Sequence, residues 1–418
     1  MLSIGILALA VLGGAGLVQW YLWRRLVRDV SAPGGRYRRA GTVLAVLLPL
    51  LSLGALVGGQ ALPLAAERWL AWPGYLWLAV MLYLTLAVLA GELVRPLLRR
   101  RWRRPGRGAG QSRPTAGPTA GAPGKDGPQV VGDTGKAAAR AVPDPARRLF
   151  VARTVAIGAG GAAVAVVGAG TYGVLRGPGV KRVTVPLAKL PRRAHGYRIA
   201  VVSDIHLGPI LGRASTERIV DTVNRVQPDL IAIVGDLVDG TVPDLGPAAE
   251  PLARLRARDG AFFVTGNHEY YSGAAPWVEF VRRLGVRPLE NARVELPWFD
   301  LAGVNDIAGT AEGEGPDYGR ALGDRDRTRT AVLLAHQPVA VHEAVRRGVD
   351  LQLSGHTHGG QLWPGNHLAA LVNPTVAGLE RYGDTQLYVT RGAGAWGPPV
   401  RVGAPSDITV VTLASLRA

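Results

Sequence analysis

The sequence predicts an α/β layered domain carried on four transmembrane helices. Two observations lead there. Long apolar runs fill much of the first 175 residues, and from Tyr197 onward short β-rich runs alternate with amphipathic stretches. A third observation sets the class of chemistry: carboxylates, histidines and an asparagine stand at the ends of successive strand-like runs.

The apolar runs extend from Leu2 to Trp23, Gly41 to Ala66, Trp69 to Gly91 and Thr154 to Leu175. Each is long enough to cross a hydrocarbon layer of ~30 Å. None carries an ionisable residue, so they read as an anchor rather than a transport pathway. Between the first two runs stand Arg24, Arg25, Arg28, Arg36, Arg38 and Arg39, whereas only Glu67 and Arg68 separate the second from the third. That asymmetry places the first loop in the cytoplasm and the second outside.

The expected organisation follows in chain order. Residues 1–94 hold three transmembrane helices with short loops, and residues 95–146 a basic, Gly/Pro/Ala-rich linker too poor in apolar residues to build a core. Residues 147–176 form a fourth helix, read either as a span or as a signal-anchor that resembles a twin-arginine export signal through Arg147 and Arg148. Residues 177–418 are the soluble domain, expected on the extracytoplasmic side of a multi-pass cell-membrane protein.

Charge and cysteine content narrow the chemistry. The net charge is +17, but the arginines bunch beside the apolar runs instead of lining one domain, so no nucleic-acid partner is expected. The chain contains no cysteine, which excludes disulfides, zinc–thiolate sites and thiol catalysis. Any metal must therefore sit on His, Asp, Glu or Asn.

The strand-like runs are "YRIAVVSDIH", "PDLIAIVGDLVD", "AFFVTGNHE", "RTAVLLAHQP" and "VDLQLSGHTH", with helical stretches at 214–226, 275–284 and 338–347 between them. Their ends carry Asp204 and His206, Asp236 and Asp239, Asn267 and His268, His336, and His356 with His358. In open α/β sheets ligand groups converge outside the carboxyl ends of strands, and this many hard N/O donors there point to metal.

Taken in order, "SDIHLG", "GDLVD", "GNHE", "AHQP" and "SGHTHGGQ" resemble the five blocks of the calcineurin-like metallophosphoesterase superfamily, over about residues 195–415. The closest resemblance is to bacterial membrane-tethered phosphoesterases. It implies a layered β-sandwich flanked by helices (αββα). It also implies that Asp204, His206 and His358 hold one divalent ion, that Asn267, His336 and His356 hold another, and that Asp236 bridges them. His268 would act on the leaving group, with Asp239 orienting it.

A mixed imidazole–carboxylate set suits Mn, Fe or Zn. Two such ions ~3.5–4 Å apart activate a shared water for in-line attack on phosphorus. Gly355, Gly359 and Gly360 would let the backbone approach the phosphate.

The resemblance implies a hydrolase acting on a phosphodiester, phosphomonoester or pyrophosphate. A phospholipid or lipid-linked pyrophosphate fits the tether, while cell-wall polymers and extracellular nucleotides fit the location. The alternative is a catalytically inactive metal-binding sensor on a membrane anchor. Protein phosphatases of the superfamily carry Arg where Gly240 stands, so their phosphate clamp is not expected here. Asp239 could instead cap the turn before Gly240. His195, His342 and His367 receive no role, and Tyr270, Tyr271 and Arg391 could line the pocket or merely pack.

Overall fold

The computed structural model describes residues 2–58, 62–101 and 145–417. Four long helices come first: α1 (Leu2–Leu26), α2 (Arg36–Gly58), α3 (Leu64–Arg101) and α4 (Pro145–Leu175). Three stretches are long and apolar enough to cross a membrane, Arg36–Gly58, Leu64–Val94 and Arg148–Leu175. The linker expected over 95–146 lies outside the described residues from 102 to 144, and its first residues continue α3.

Two boundaries differ from the sequence expectation. The second run ends as a helix at Gly58, and Glu67 and Arg68, expected in a turn, are helical in α3. Pro63 accounts for this: it cannot continue a helix but readily precedes one, and its carbonyl accepts from the N–H groups of Ala66 and Glu67.

From Gly179 the chain builds two six-stranded sheets. The first contains β1 (Gly179–Leu187), β2 (Tyr197–Val202), β3 (Leu230–Val234), β4 (Ala261–Val264), β5 (Arg287–Pro288) and β12 (Asp407–Ser415), in the order β1-β12-β2-β3-β4-β5. The second contains β6 (Ala292–Glu295), β7 (Asp300–Gly303), β8 (Ala331–Leu334), β9 (Leu351–Ser354), β10 (Gly378–Tyr382) and β11 (Thr385–Val389), in the order β10-β11-β9-β8-β7-β6. Strands β2, β3 and β4 are mutually parallel, as are β7, β8, β9 and β11.

The core lies between the sheets, where Val201, Ala232 and Val264 meet Leu301, Val332 and Leu353. Both faces of the central parallel strands are buried, which explains their near-continuous apolar runs. Helices α5 (Arg213–Arg225), α6 (Val242–Ala249) and α8 (Ala274–Arg283) cover the first sheet with Ile219, Val223, Leu245 and Trp277. Helices α9 (Tyr318–Leu322) and α10 (Val341–Arg347) cover the second with Leu322 and Ala344. Each fully buried Leu, Val or Ile contributes ~1.5–3 kcal/mol, so this four-layer packing holds the strand ends rigidly.

Candidate metal centre

The carboxyl ends of β2, β3, β4, β8 and β9 meet at one rim, and the loops that leave them carry the seven expected metal ligands together with Asp239 and His268. A strand puts residues two apart on the same face but roughly 6.5–7 Å apart along the chain, so it cannot by itself bring Asp204 and His206 to one point. The backbone solves this by leaving the extended region. Asp204, His206, Asp236, His356 and His358 have φ of 52°, 48°, 54°, 74° and 53°, all left-handed. Each such residue costs on the order of 1–3 kcal/mol, and strain of this kind collects at functional sites.

Local hydrogen bonds hold the strained loops. The Asp204 N–H donates to the Gly235 carbonyl at 3.1 Å and the His206 N–H to the Asp236 carbonyl at 3.2 Å. The His268 N–H donates to Asp236 Oδ1 at 2.9 Å, and the His356 N–H to Asp204 Oδ1 at 3.0 Å.

Among the described residues three groups of candidate ligand atoms result, two of them made of expected ligands: Asp204, His206 and His358, and Asp236, His336 and His356; the third joins His206 to Asp239 and His268. His206 Nε2 lies 3.0 Å from His358 Nε2, and His358 Nε2 lies 3.3 Å from Asp204 Oδ1. Asp236 stands between the groups, its Oδ2 3.1 Å from His336 Nε2 and 3.7 Å from His206 Nε2. Asn267 Oδ1 sits 3.1 Å from His356 Nδ1.

The donor set fits divalent cations on two observations. His336 Nε2 is buried and has no hydrogen-bond partner despite its nearness to the carboxylate. His206 and His358 aim ring nitrogens at each other across a buried gap. Nitrogen lone pairs converging with carboxylates away from water are what a cation satisfies.

Electrostatics carry the same signature. Burial alone would lower His206, but Asp239 and then Asp236 and Asp204 push it up to about 9. Burial opposes ionisation of Asp236 too, yet His336 and His206 hold it well below the usual carboxylate range. Burial and the cationic His336 depress His356 to about 4. His358 is pushed well below its ordinary value by burial and by His206. Carboxylates and imidazoles thus compete for protons in a space too dry to solvate them.

Asp239 does more than the sequence suggested. Its Oδ1 lies 2.7 Å from His268 Nδ1 and 2.9 Å from His206 Nδ1, so one carboxylate orients both rings. The turn-capping alternative for Asp239 is not what this geometry offers.

Three further residues escaped the sequence reading. Glu269 is fully buried and accepts N–H bonds from Gly266, Asp236 and Leu237, pinning two ligand loops together; burial and Asp236 push it up to about 7. It closes the "GNHE" block, and its bond to the Gly266 N–H caps the helix Asn267–Ser272. Arg401, buried, donates to the carbonyls of His358, Arg391, Gly394 and Ala404. Nothing in the sequence signals it. Trp396 lies 5.6 Å from the His268 ring, and Tyr271 lies 5.4 Å from it.

Two of the glycines also serve packing. A Cβ at Gly355 would lie 1.9 Å from Ser203 Oγ and 2.5 Å from Asp204 Oδ2, and one at Gly360 would strike Asn366. At these two positions the missing side chain lets loops pack against each other and against the Asp204 carboxylate. Of the unassigned residues, Tyr271 lines the cavity beside His268, Tyr270 is buried, and Arg391 lies 3.7 Å from Asp407.

A cavity of about 950 Å³ opens over His206, Asp239 and His268. Its opposite wall comes from the α2–α3 hairpin, through Leu56, Leu64, Glu67 and Tyr75.

The family model for calcineurin-like phosphoesterases matches residues 197–360. A Danio rerio "transmembrane protein with metallophosphoesterase domain" is 41% identical over 250 residues, 56% of this chain and 57% of that protein. The chain therefore spans just over half that relative's length. An Aquifex aeolicus uncharacterized metallophosphoesterase is 36% identical over 56% of this chain and 91% of its own. A Danio rerio dimetal phosphatase crystal structure covers 51% of this chain and 91% of its own at 13% identity, with a TM-score of 0.34, and carries no weight here.

Proposed function

Because the chain belongs to the calcineurin-like metallophosphoesterase family, we propose that it is a membrane-anchored phosphoesterase that hydrolyses a phosphodiester at a dinuclear metal site. In this reading four helices anchor it and the catalytic domain faces away from the cytoplasm. The observation that carries the proposal is the placement of Asp236 between two groups of ligands, 3.1 Å from His336 and 3.7 Å from His206. That is where a carboxylate must stand to serve two cations.

Asp204, His206 and His358 would hold one ion and Asn267, His336 and His356 the other, with Mn, Fe or Zn the metals this donor set suits. Bound there, the pair supplies Lewis-acid polarisation of the phosphoryl oxygen and a water acidic enough to attack at neutral pH. The chain's own residues do the rest. Asp239 holds His268 through Nδ1, which leaves Nε2 for the cavity, where it donates a proton to the departing oxygen. Asp239 also fixes His206, so the ligand and the acid keep a constant relation.

Gly240 gives no arginine clamp for a dianionic monoester, which favours the diester. The test is turnover by the full chain, reconstituted with Mn, Fe or Zn. Bis-p-nitrophenyl phosphate should be cleaved faster than p-nitrophenyl phosphate; cleavage of neither by any metal-loaded form defeats the proposal.

A further inference from the structure

The loop that carries His356 and His358 continues into α11 (Gly365–Val372), a helix with no buried residue. Trp363, Leu368, Leu371 and Val372 are 51%, 70%, 79% and 79% exposed. Four large apolar side chains beside a metal site are an expensive surface to leave in water.

Their position explains them. The carbonyl of Trp363 accepts from Tyr83 Oη of α3 at 2.9 Å. The neighbouring loop packs equally closely on α4: the Arg401 N–H donates to the Gly170 carbonyl at 3.4 Å, and a Cβ on Gly170 would meet Val400 at 2.7 Å. Val400, Leu362 and Val402 share one apolar cluster with Ala79, Tyr83 and Val167.

Depth follows from helix rise. The Arg25–Glu92 ion pair, 3.1 Å apart, marks the charged edge of the bundle. Measured from it along α3 at ~1.5 Å per residue, Tyr83 lies ~14 Å away, Tyr75 ~26 Å and Glu67 ~38 Å. A hydrocarbon layer of ~30 Å thus encloses the level of Tyr83 and Trp363, and ends between Tyr75 and Glu67. The cavity over His268 is lined by Tyr75 and Glu67, so it stands at that boundary.

We propose that Trp363–Val372 is a foot sunk among the acyl chains of the leaflet away from the arginine clusters. With the α2–α3 hairpin it sets the catalytic cavity at headgroup depth, so the site takes phosphoesters carried on lipids. The inference rests on the phosphodiesterase reading above and adds the substrate class. An amphiphile's chain would stay in the leaflet beside α11 and the hairpin, while its phosphoester reaches His268 and the ligands.

The chain has no cysteine, so a single Leu371→Cys substitution can carry a bimane label in the full protein reconstituted into phosphatidylcholine–phosphatidylglycerol vesicles. Nitroxide on the acyl chains should quench this label more than aqueous iodide does. The same label at exposed Ala311 should show the reverse order. Iodide quenching without acyl-chain quenching at Leu371 overturns the foot. For the substrate class, two diesters with one leaving group are compared, hexadecyl and methyl p-nitrophenyl phosphate. The double variant Leu368→Lys, Leu371→Lys should lose roughly tenfold in kcat/KM on the hexadecyl ester and leave the methyl ester unchanged. An equal effect on both esters, or none on either, overturns the lipid assignment. Failure of the metal-loaded wild type to cleave the methyl ester would instead defeat the phosphodiesterase reading and leave the quenching result standing.

Discussion

At the scale of single residues, the centre turns on side chains that serve two masters. Asp236 faces both ligand groups, and Asp239 orients both His206 and His268. The second sharing was not legible in the sequence, because two ring nitrogens meeting one oxygen is a property of loop conformation rather than spacing. The residue types at the strand ends were legible, since each stands in a short polar block after an apolar run. Arg401 was not, because it acts on backbone carbonyls of its own loop and on the carbonyl and ring of His358, contacts that no residue pattern announces. For His268 the expectation is specific: His268→Ala should keep its metal content and slow turnover by ~100-fold or more, with the smallest loss on esters whose leaving group is already acidic. Metal analysis alongside steady-state rates checks it, and loss of metal would make His268 a ligand instead.

At the scale of elements, the strands with polar residues at their ends were readable and the closing strands were not. The five runs beginning at Tyr197 all became parallel strands because a doubly covered sheet needs unbroken apolar sequence. Strands β1 and β12 have mixed composition and pair with each other across most of the domain's sequence, whereas the edge strands β6 and β10, also mixed, form hairpins with the strands that follow them. The helical stretches at 214–226 and 275–284 were displaced by one residue from α5 and α8, while 338–347 divides into a 3₁₀ turn at Pro338–Ala340 and α10. The left-handed ligands follow no sequence rule, since Asp and His reach that region only where surrounding structure compels them. Between these elements, Gly355 is the tightest contact. Gly355→Ala would put a methyl 1.9 Å from Ser203 Oγ and 2.5 Å from Asp204 Oδ2, forcing the β2 and β9 loops apart. The variant should bind less metal than wild type and lose most activity while retaining its far-ultraviolet circular dichroism; full metal binding would show that the loops yield without cost.

At the scale of the whole molecule, the long apolar helices and the α/β domain share surfaces. Tyr83 bonds to Trp363, Gly170 packs on Val400, and the α2–α3 hairpin walls the cavity. The sequence reading separated these parts, because apolar runs and catalytic blocks announce themselves independently and their docking does not. Sidedness belongs to this scale. The arginines at 24–39 and from Arg95 onward predict that the linker is cytoplasmic and residues 180–418 lie outside. Protease added to intact spheroplasts should digest the catalytic domain and spare the 105–145 segment, whereas complete protection until lysis would place the enzyme inside.

The most direct measurement counts metal. Full-length protein, loaded with Mn, Fe or Zn and freed of excess ion, should contain two equivalents per chain and hydrolyse bis-p-nitrophenyl phosphate. Asp236→Asn, which keeps the shape but removes the shared charge, should retain one equivalent or fewer and lose at least ~100-fold in turnover. An Asp236→Asn protein that still held two ions and worked at the wild-type rate would contradict the bridging role on which the account rests.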